Sequence, residues 1–194
     1  MIIITKSIKN ITKYIKLGKA NVFSVKYGCE NCGYQGRLHR HGFYSRNVIT
    51  CFSFHRISIL RVKCPSCNKT YSLLPPFLIP YYQYSFDVIF LCLYISYVQK
   101  QSYQNIINYL HGLNPDLLLG ISRISYYKKR MEKIIPLTNS FFANFQDYYY
   151  EMNDPTPVSL LKKIKYFREN PGNFNYTYFQ TIPHYFFSPV KDDS

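Results

Sequence analysis

Cys29-x-x-Cys32 and Cys64-x-x-Cys67 are the residues of this chain whose type and spacing best support a chemical role. Each pair sets two sulfurs on one tight turn, and Gly33, Pro65 and Asn68 suit such turns. Two turns brought together across the strand-rich stretch between them give the four-sulfur tetrahedral set that Zn²⁺ prefers. A closed S₄ shell leaves no open coordination position, so the expected cofactor is one structural Zn²⁺ per chain. A thioredoxin-like redox C-x-x-C would sit where a strand leads into a helix, and a second pair would be superfluous. An iron–sulfur cluster also uses four cysteines, but the symmetric layout of two turns favours zinc. His39 and His41 alternate with Arg40 on a predicted strand and so share one face. With the shell already complete, they are assigned to a surface or phosphate-facing role rather than to the metal. Cys51 and Cys92 read as small hydrophobes.

The elements that must position these residues read as an α+β fold. Residues 1–24 form a short strand and a basic helix. Residues 25–80 form a zinc ribbon, an antiparallel meander of "RLHRHGFY", "NVITCFSF" and "ISILRVK" with turns at Ser45–Asn47 and His55–Arg56. "LLPPFLIPYY" carries three prolines, which fit neither a helix nor a central strand, and reads as a stiff connector. Residues 81–137 read as a helix-turn-helix-like domain. It holds a helix over Phe86–Gln99 that is apolar nearly all round and a short one capped by Ser102, with Tyr103, Ile106, Ile107 and Leu110 on one face. A third helix lies within Leu117–Ile135 and is closed by Pro136. On it Ile121, Ile124, Met131 and Ile135 form the apolar stripe, with the Lys128 stem filling the gap. Residues 138–194 read as an aromatic C-terminal extension with helix candidates at Ser140–Glu151 and Val158–Arg168.

The net charge is +14. Residues 1–80 hold thirteen Lys/Arg against the single acid Glu30, whereas residues 138–194 hold five against six. Such asymmetry points to a polyanionic partner, double-stranded DNA first. The expected contacts on the ribbon are Arg37, His39, Arg40, His41, Arg46, Arg61 and Lys63. On the third helix they are Arg123, Tyr126, Lys129, Arg130 and Lys133, the stripe that a recognition helix presents to the major groove. A solvated basic surface is the plain alternative. Catalysis is not expected, because the few carboxylates, among them Asp87, Asp116 and Glu132, carry no supporting motif. No export signal is visible, and Phe86–Val98 is too short an apolar run for a membrane span. Reduced, paired cysteines then imply a cytoplasmic protein.

The Cys29–Ser85 stretch resembles the zinc ribbon that opens many bacterial insertion-sequence transposases. It resembles especially a family of short bacterial proteins of unknown function built on that front end. The likeness rests on the two cysteine pairs, on His39, Gly42, Tyr44 and Arg46 with His41 between, on Arg61 and Lys63 entering the second pair, and on the L-L-P-x-F-x-I-P stretch. In such transposases the ribbon and a helix-turn-helix recognise the element's ends, ahead of an acidic catalytic domain. The residues after 135 are too few for that domain, so the resemblance implies DNA binding and leaves transposition unsupported. The expectation is a non-enzymatic accessory factor or regulator of a mobile element. Two alternatives stay open: an adaptor docking a recombinase, transposase or polymerase through Phe141–Tyr150 and Phe174–Phe187, or an RNA-binding module.

Overall fold

A computed structural model describes residues 2–5, 8, 10–20, 28–145, 154–169, 174–182 and 184–187. Among them the chain forms a mixed α+β structure with one four-stranded sheet and six α-helices. Strands β1 (Ile2–Ile4), β2 (His39–Ile49), β3 (Phe54–Lys63) and β4 (Thr70–Leu74) stand in the order β1-β4-β3-β2. β1 runs parallel to β4, and the other neighbours are antiparallel. The N-terminal segment is therefore part of the sheet rather than a separate unit. Helix α1 (Ile11–Leu17) is capped by the Asn10 side chain and buries the Tyr14 ring in the sheet's core, its hydroxyl donating to the Ser58 carbonyl.

The expected three-segment meander is instead one long hairpin. Ser45–Asn47 and His55–Arg56 lie within the paired strands, Ser45 opposite Ser58, Asn47 opposite Arg56 and His55 opposite Val48, and the chain reverses at Thr50–Ser53. Polar Ser45 and Asn47 are the outward members of an alternation whose inward member is Val48, so polarity here marks a face and not a turn. The Thr50 hydroxyl makes the reversal, accepting from the amides of Phe52 and Ser53.

The helices α2 (Phe86–Tyr97), α3 (Tyr103–Leu113), α4 (Ile121–Ala143), α5 (Pro157–Glu169) and α6 (Phe174–Thr181) gather around a second core. Ser102 caps α3 as expected, accepting from the Asn105 amide. Pro136 does not close α4, which runs on to Ala143. A mid-helix proline costs about 3 kcal/mol. The last turns bury Phe141 and Phe142, each contributing roughly 1.5–3 kcal/mol, which offsets it. The buried stripe of α4 also differs from the sequence reading. Ile121 is exposed, and Ile124, Tyr127, Arg130, Met131, Ile134 and Thr138 turn inward. The aromatic C-terminal region supplies core: Phe141, Phe142, Phe174, Tyr178, Phe186 and Phe187 pack on one another and on Phe86. These six rings are therefore turned inward, while Tyr176, Phe179 and Tyr185 of the same region are half-buried. The expected helix from Ser140 to Glu151 falls partly on residues 146–151, which lie outside the described residues.

The proline-rich connector passes between the two cores as their shared spine. Phe77 and Leu78 belong to the sheet's core, and Ile79 and Tyr82 to the helical one. Buried carbonyls in such a segment need donors, because prolines offer no N–H for a ladder. Two side chains supply them. Asn175 Nδ2 donates to Pro76 O and Leu78 O, and Arg46 Nη2 donates to Ile79 O and Tyr82 O.

Candidate metal centre and basic surfaces

The two C-x-x-C turns fold alike. The Cys29 carbonyl accepts from the Gly33 amide at 2.9 Å, and the Cys64 carbonyl accepts from Asn68 at 3.0 Å. The Cys29 and Cys64 amides in turn donate to Tyr34 O and Lys69 O. Gly33 and Asn68 hold the equivalent left-handed position, at φ 73 and 61, which glycine and asparagine adopt most readily. The hairpin and β4 bring the second turn up to the first. All four sulfurs then lie within 4.8 Å of one another, with Cys29–Cys67 at 3.6 Å and Cys32–Cys64 at 3.7 Å.

Those separations are far beyond the ~2.05 Å of a disulfide. They agree with the roughly 3.8 Å edge of a tetrahedron whose metal–sulfur bonds are about 2.3 Å. The four cysteines can hold a metal ion, and the donor set suits a soft, tetrahedral one. Cys51 and Cys92 are buried elsewhere, as small hydrophobes.

A partner that the sequence reading missed completes the site. Tyr71, on β4, is 1 % exposed and places its hydroxyl 3.0 Å from Cys29 Sγ while accepting from the Asn31 amide. That contact holds the Cys29 thiol below the usual thiol range. Asn31 Nδ2 also approaches Cys67 Sγ, at 3.6 Å. The only sequence signal for Tyr71 is its alternation with Leu73, which marks it as inward.

Around this centre the expected basic residues divide. Arg37, His39, Arg40 and His41 are exposed at the start of β2, beside the cysteine turns. His39 pairs with Lys63 across the hairpin, so these two share a face, with half-buried Arg61 beside them donating to Thr70 Oγ1. His41 does not share the register of His39. A bulge between Arg40 and Gly42 sets it out of alternation, and Gly42 takes φ 111, a conformation that glycine tolerates. Arg46 is half-buried, and its Nη2 is engaged by the connector carbonyls. On α4, Arg123, Tyr126, Lys129 and Lys133 are exposed, whereas Arg130 is 7 % exposed and faces the core. Lys128 sits over the Tyr97 and Tyr103 rings, fixing α4 against α2 and α3. Among the described residues, no other group of His, Cys, Asp or Glu side chains is gathered for a metal, and no helix is long and apolar enough to cross a membrane.

Residues 29–105 match the model of a family described as a domain of unknown function (DUF6431). The match opens on the first cysteine, takes in the hairpin, the second cysteine pair, the connector and α2, and ends in the first turn of α3. No curated protein and no solved structure matches the chain.

Proposed function

We propose that the chain is a zinc-stabilised DNA-binding protein, acting as an accessory factor or regulator of a mobile element without a catalytic domain of its own. The observation that carries this reading is the basic flank of exposed Arg37, His39 and Arg40 with half-buried Lys63, on and beside the strands that position the four thiols. When bound, Zn²⁺ ties the first cysteine turn to the hairpin, and so fixes where those cations stand. Cys29, Cys32, Cys64 and Cys67 hold it. The basic edge then tracks a phosphate backbone, which dominates affinity for duplex DNA. Helices α3 and α4 serve as a helix-turn-helix, with Arg123, Tyr126, Lys129 and Lys133 of α4 reaching the groove. The burial of the C-terminal aromatics supports this reading over the adaptor, which needs those rings at the surface.

The test is duplex binding by the zinc-loaded protein at two salt concentrations. Affinity that falls steeply with salt is expected. Salt-independent binding, or none at low salt, rules the reading out.

A further inference from the structure

An open cleft of about 480 Å³ lies where the end of the connector meets the start of α4. Tyr81, Tyr82, Gln83, Tyr84, Ser122, Arg123, Tyr126 and Tyr127 line it, five aromatic rings and one cation with no carboxylate among them. Its size falls within the roughly 300–1,000 Å³ of small-ligand sites. Two rings stand at its mouth, Tyr81 at 71 % exposed and Tyr126 at 41 %. Tyr81 also holds a left-handed backbone, φ 69, that a bulky residue seldom adopts, and its ring buries little in return.

The inner wall is short of partners. Tyr127 is wholly buried, yet its hydroxyl has no hydrogen-bond partner among the described residues, whereas buried phenols nearly always find one. Burial raises the Tyr84 and Tyr127 phenols above their ordinary range, and the charge of Arg123, which lines the same cleft, opposes that rise in both. No side chain caps α4, whose first turn supplies Ser122 and Arg123 to the same wall. Behind it, Arg130 keeps Nε and Nη2 without partners among the described residues. The cleft thus joins an aromatic mouth to an electropositive wall with unused donors.

We propose that this cleft binds a phosphorylated nucleoside, its base stacked on the Tyr81 and Tyr126 rings and its phosphate held by Arg123, the Tyr127 hydroxyl and the first turn of α4. Stacking platforms beside a cation accept any base, because every base has a π-face. Gln83 can donate to and accept from a base edge, and a helix N-terminus favours a phosphate. The absence of carboxylates disfavours a metal ion or a polyhydroxyl ligand. This deepens the nucleic-acid reading above and rests on it: the basic strands hold the backbone, and the same Arg123 and Tyr126 that face the groove of a duplex take an unpaired nucleotide at the cleft.

The zinc-loaded protein is titrated, by fluorescence anisotropy, into a labelled short oligothymidylate bearing a 5′-phosphate and into a labelled blunt duplex, with unlabelled dTMP as competitor. Tyr81→Gly removes the exposed ring and relieves the left-handed backbone, so folding is not at risk. Tyr127→Phe deletes only the hydroxyl, and Tyr109→Ala, at an exposed site outside the cleft, is the control. Tyr81→Gly is expected to weaken the single strand roughly ten-fold or more. Tyr127→Phe and Arg123→Ala are expected to weaken it further when the 5′-phosphate is present than when it is absent. Duplex affinity should hold in Tyr81→Gly. Competition by dTMP at concentrations comparable to the strand identifies the occupant as a free nucleotide, and its failure to compete identifies a nucleotide within a strand. Either result supports the site. Single-strand binding unchanged in Tyr81→Gly and Arg123→Ala, with duplex binding intact in Tyr81→Gly, overturns the cleft and leaves the DNA reading standing. A parent protein that binds neither nucleic acid overturns both.

Discussion

The Tyr71 hydroxyl and the Cys29 sulfur lie 3.0 Å apart, joining the inner strand β4 to the first cysteine turn. A thiolate that accepts this hydrogen bond is held both in charge and in position. Tyr71→Phe keeps the ring in the core and deletes only the donor. Metal affinity should fall about 10- to 100-fold, the usual effect of losing such a support. The pH at which acid releases the metal should rise, since a thiolate with one hydrogen bond fewer is more basic and competes for protons earlier. Competition with a chromophoric chelator across a pH series measures both. Unchanged affinity would show that the hydroxyl only fills space.

Purified without chelator, the protein should carry about one zinc ion per chain. Cys29→Ser or Cys64→Ser should lose it and unfold the segment from Gly28 to Gly36, whose internal order is a few backbone bonds and the sulfur cluster. Elemental analysis and amide exchange of that segment read the two effects. Metal-free wild-type protein with the segment fully protected would remove zinc from the account.

Legibility in the sequence followed the physical range of each signal. The cysteine turns, the Ser102 cap and the apolar α2 are set by residues within a few positions of one another, and those readings agree with the structure. What the sequence hid depends on distant partners. Arg46 looks like any strand arginine until the connector carbonyls arrive from more than thirty residues away. Arg130 falls on a basic stripe in the sequence, yet Tyr127 and Met131 beside it draw that side of α4 inward. Pro136 is a stop signal in local terms and is overridden by Phe141 and Phe142 in the core. The burial of Phe174 and Phe186 is not legible in the aromatic C-terminal run, because no local feature says that these rings meet α2 and one another.

Arg46 and Arg40 lie on the same strand and should separate under mutation. Arg46→Ala strips two carbonyls of a charged donor, worth about 1.5–3 kcal/mol for a hydrogen bond of this kind, so the thermal midpoint should drop. The slope of log affinity against log salt should stay as it is. Arg40→Ala should leave the midpoint in place and reduce that slope by roughly one on any DNA sequence, as loss of one phosphate contact does. Calorimetry and a salt titration on random duplex test the pair. A reduced salt slope in Arg46→Ala would return that guanidinium to the DNA surface.

Sequence choice should lie on the outward side of α4 and nowhere on its buried stripe. A side chain making a bidentate contact to a base edge contributes about 1–3 kcal/mol of discrimination. Arg123→Ala or Lys129→Ala should therefore lose affinity for a selected duplex while binding scrambled duplex nearly as the parent does. Arg130→Met gives the opposite result. Removing a buried charge whose Nε and Nη2 lack partners among the described residues, in favour of an apolar side chain of similar length, should leave stability unchanged or raised. The ratio of selected to scrambled affinity should not move. If Arg130→Met erases discrimination and Arg123→Ala and Lys129→Ala keep it, the groove-facing side of α4 has been assigned the wrong way round.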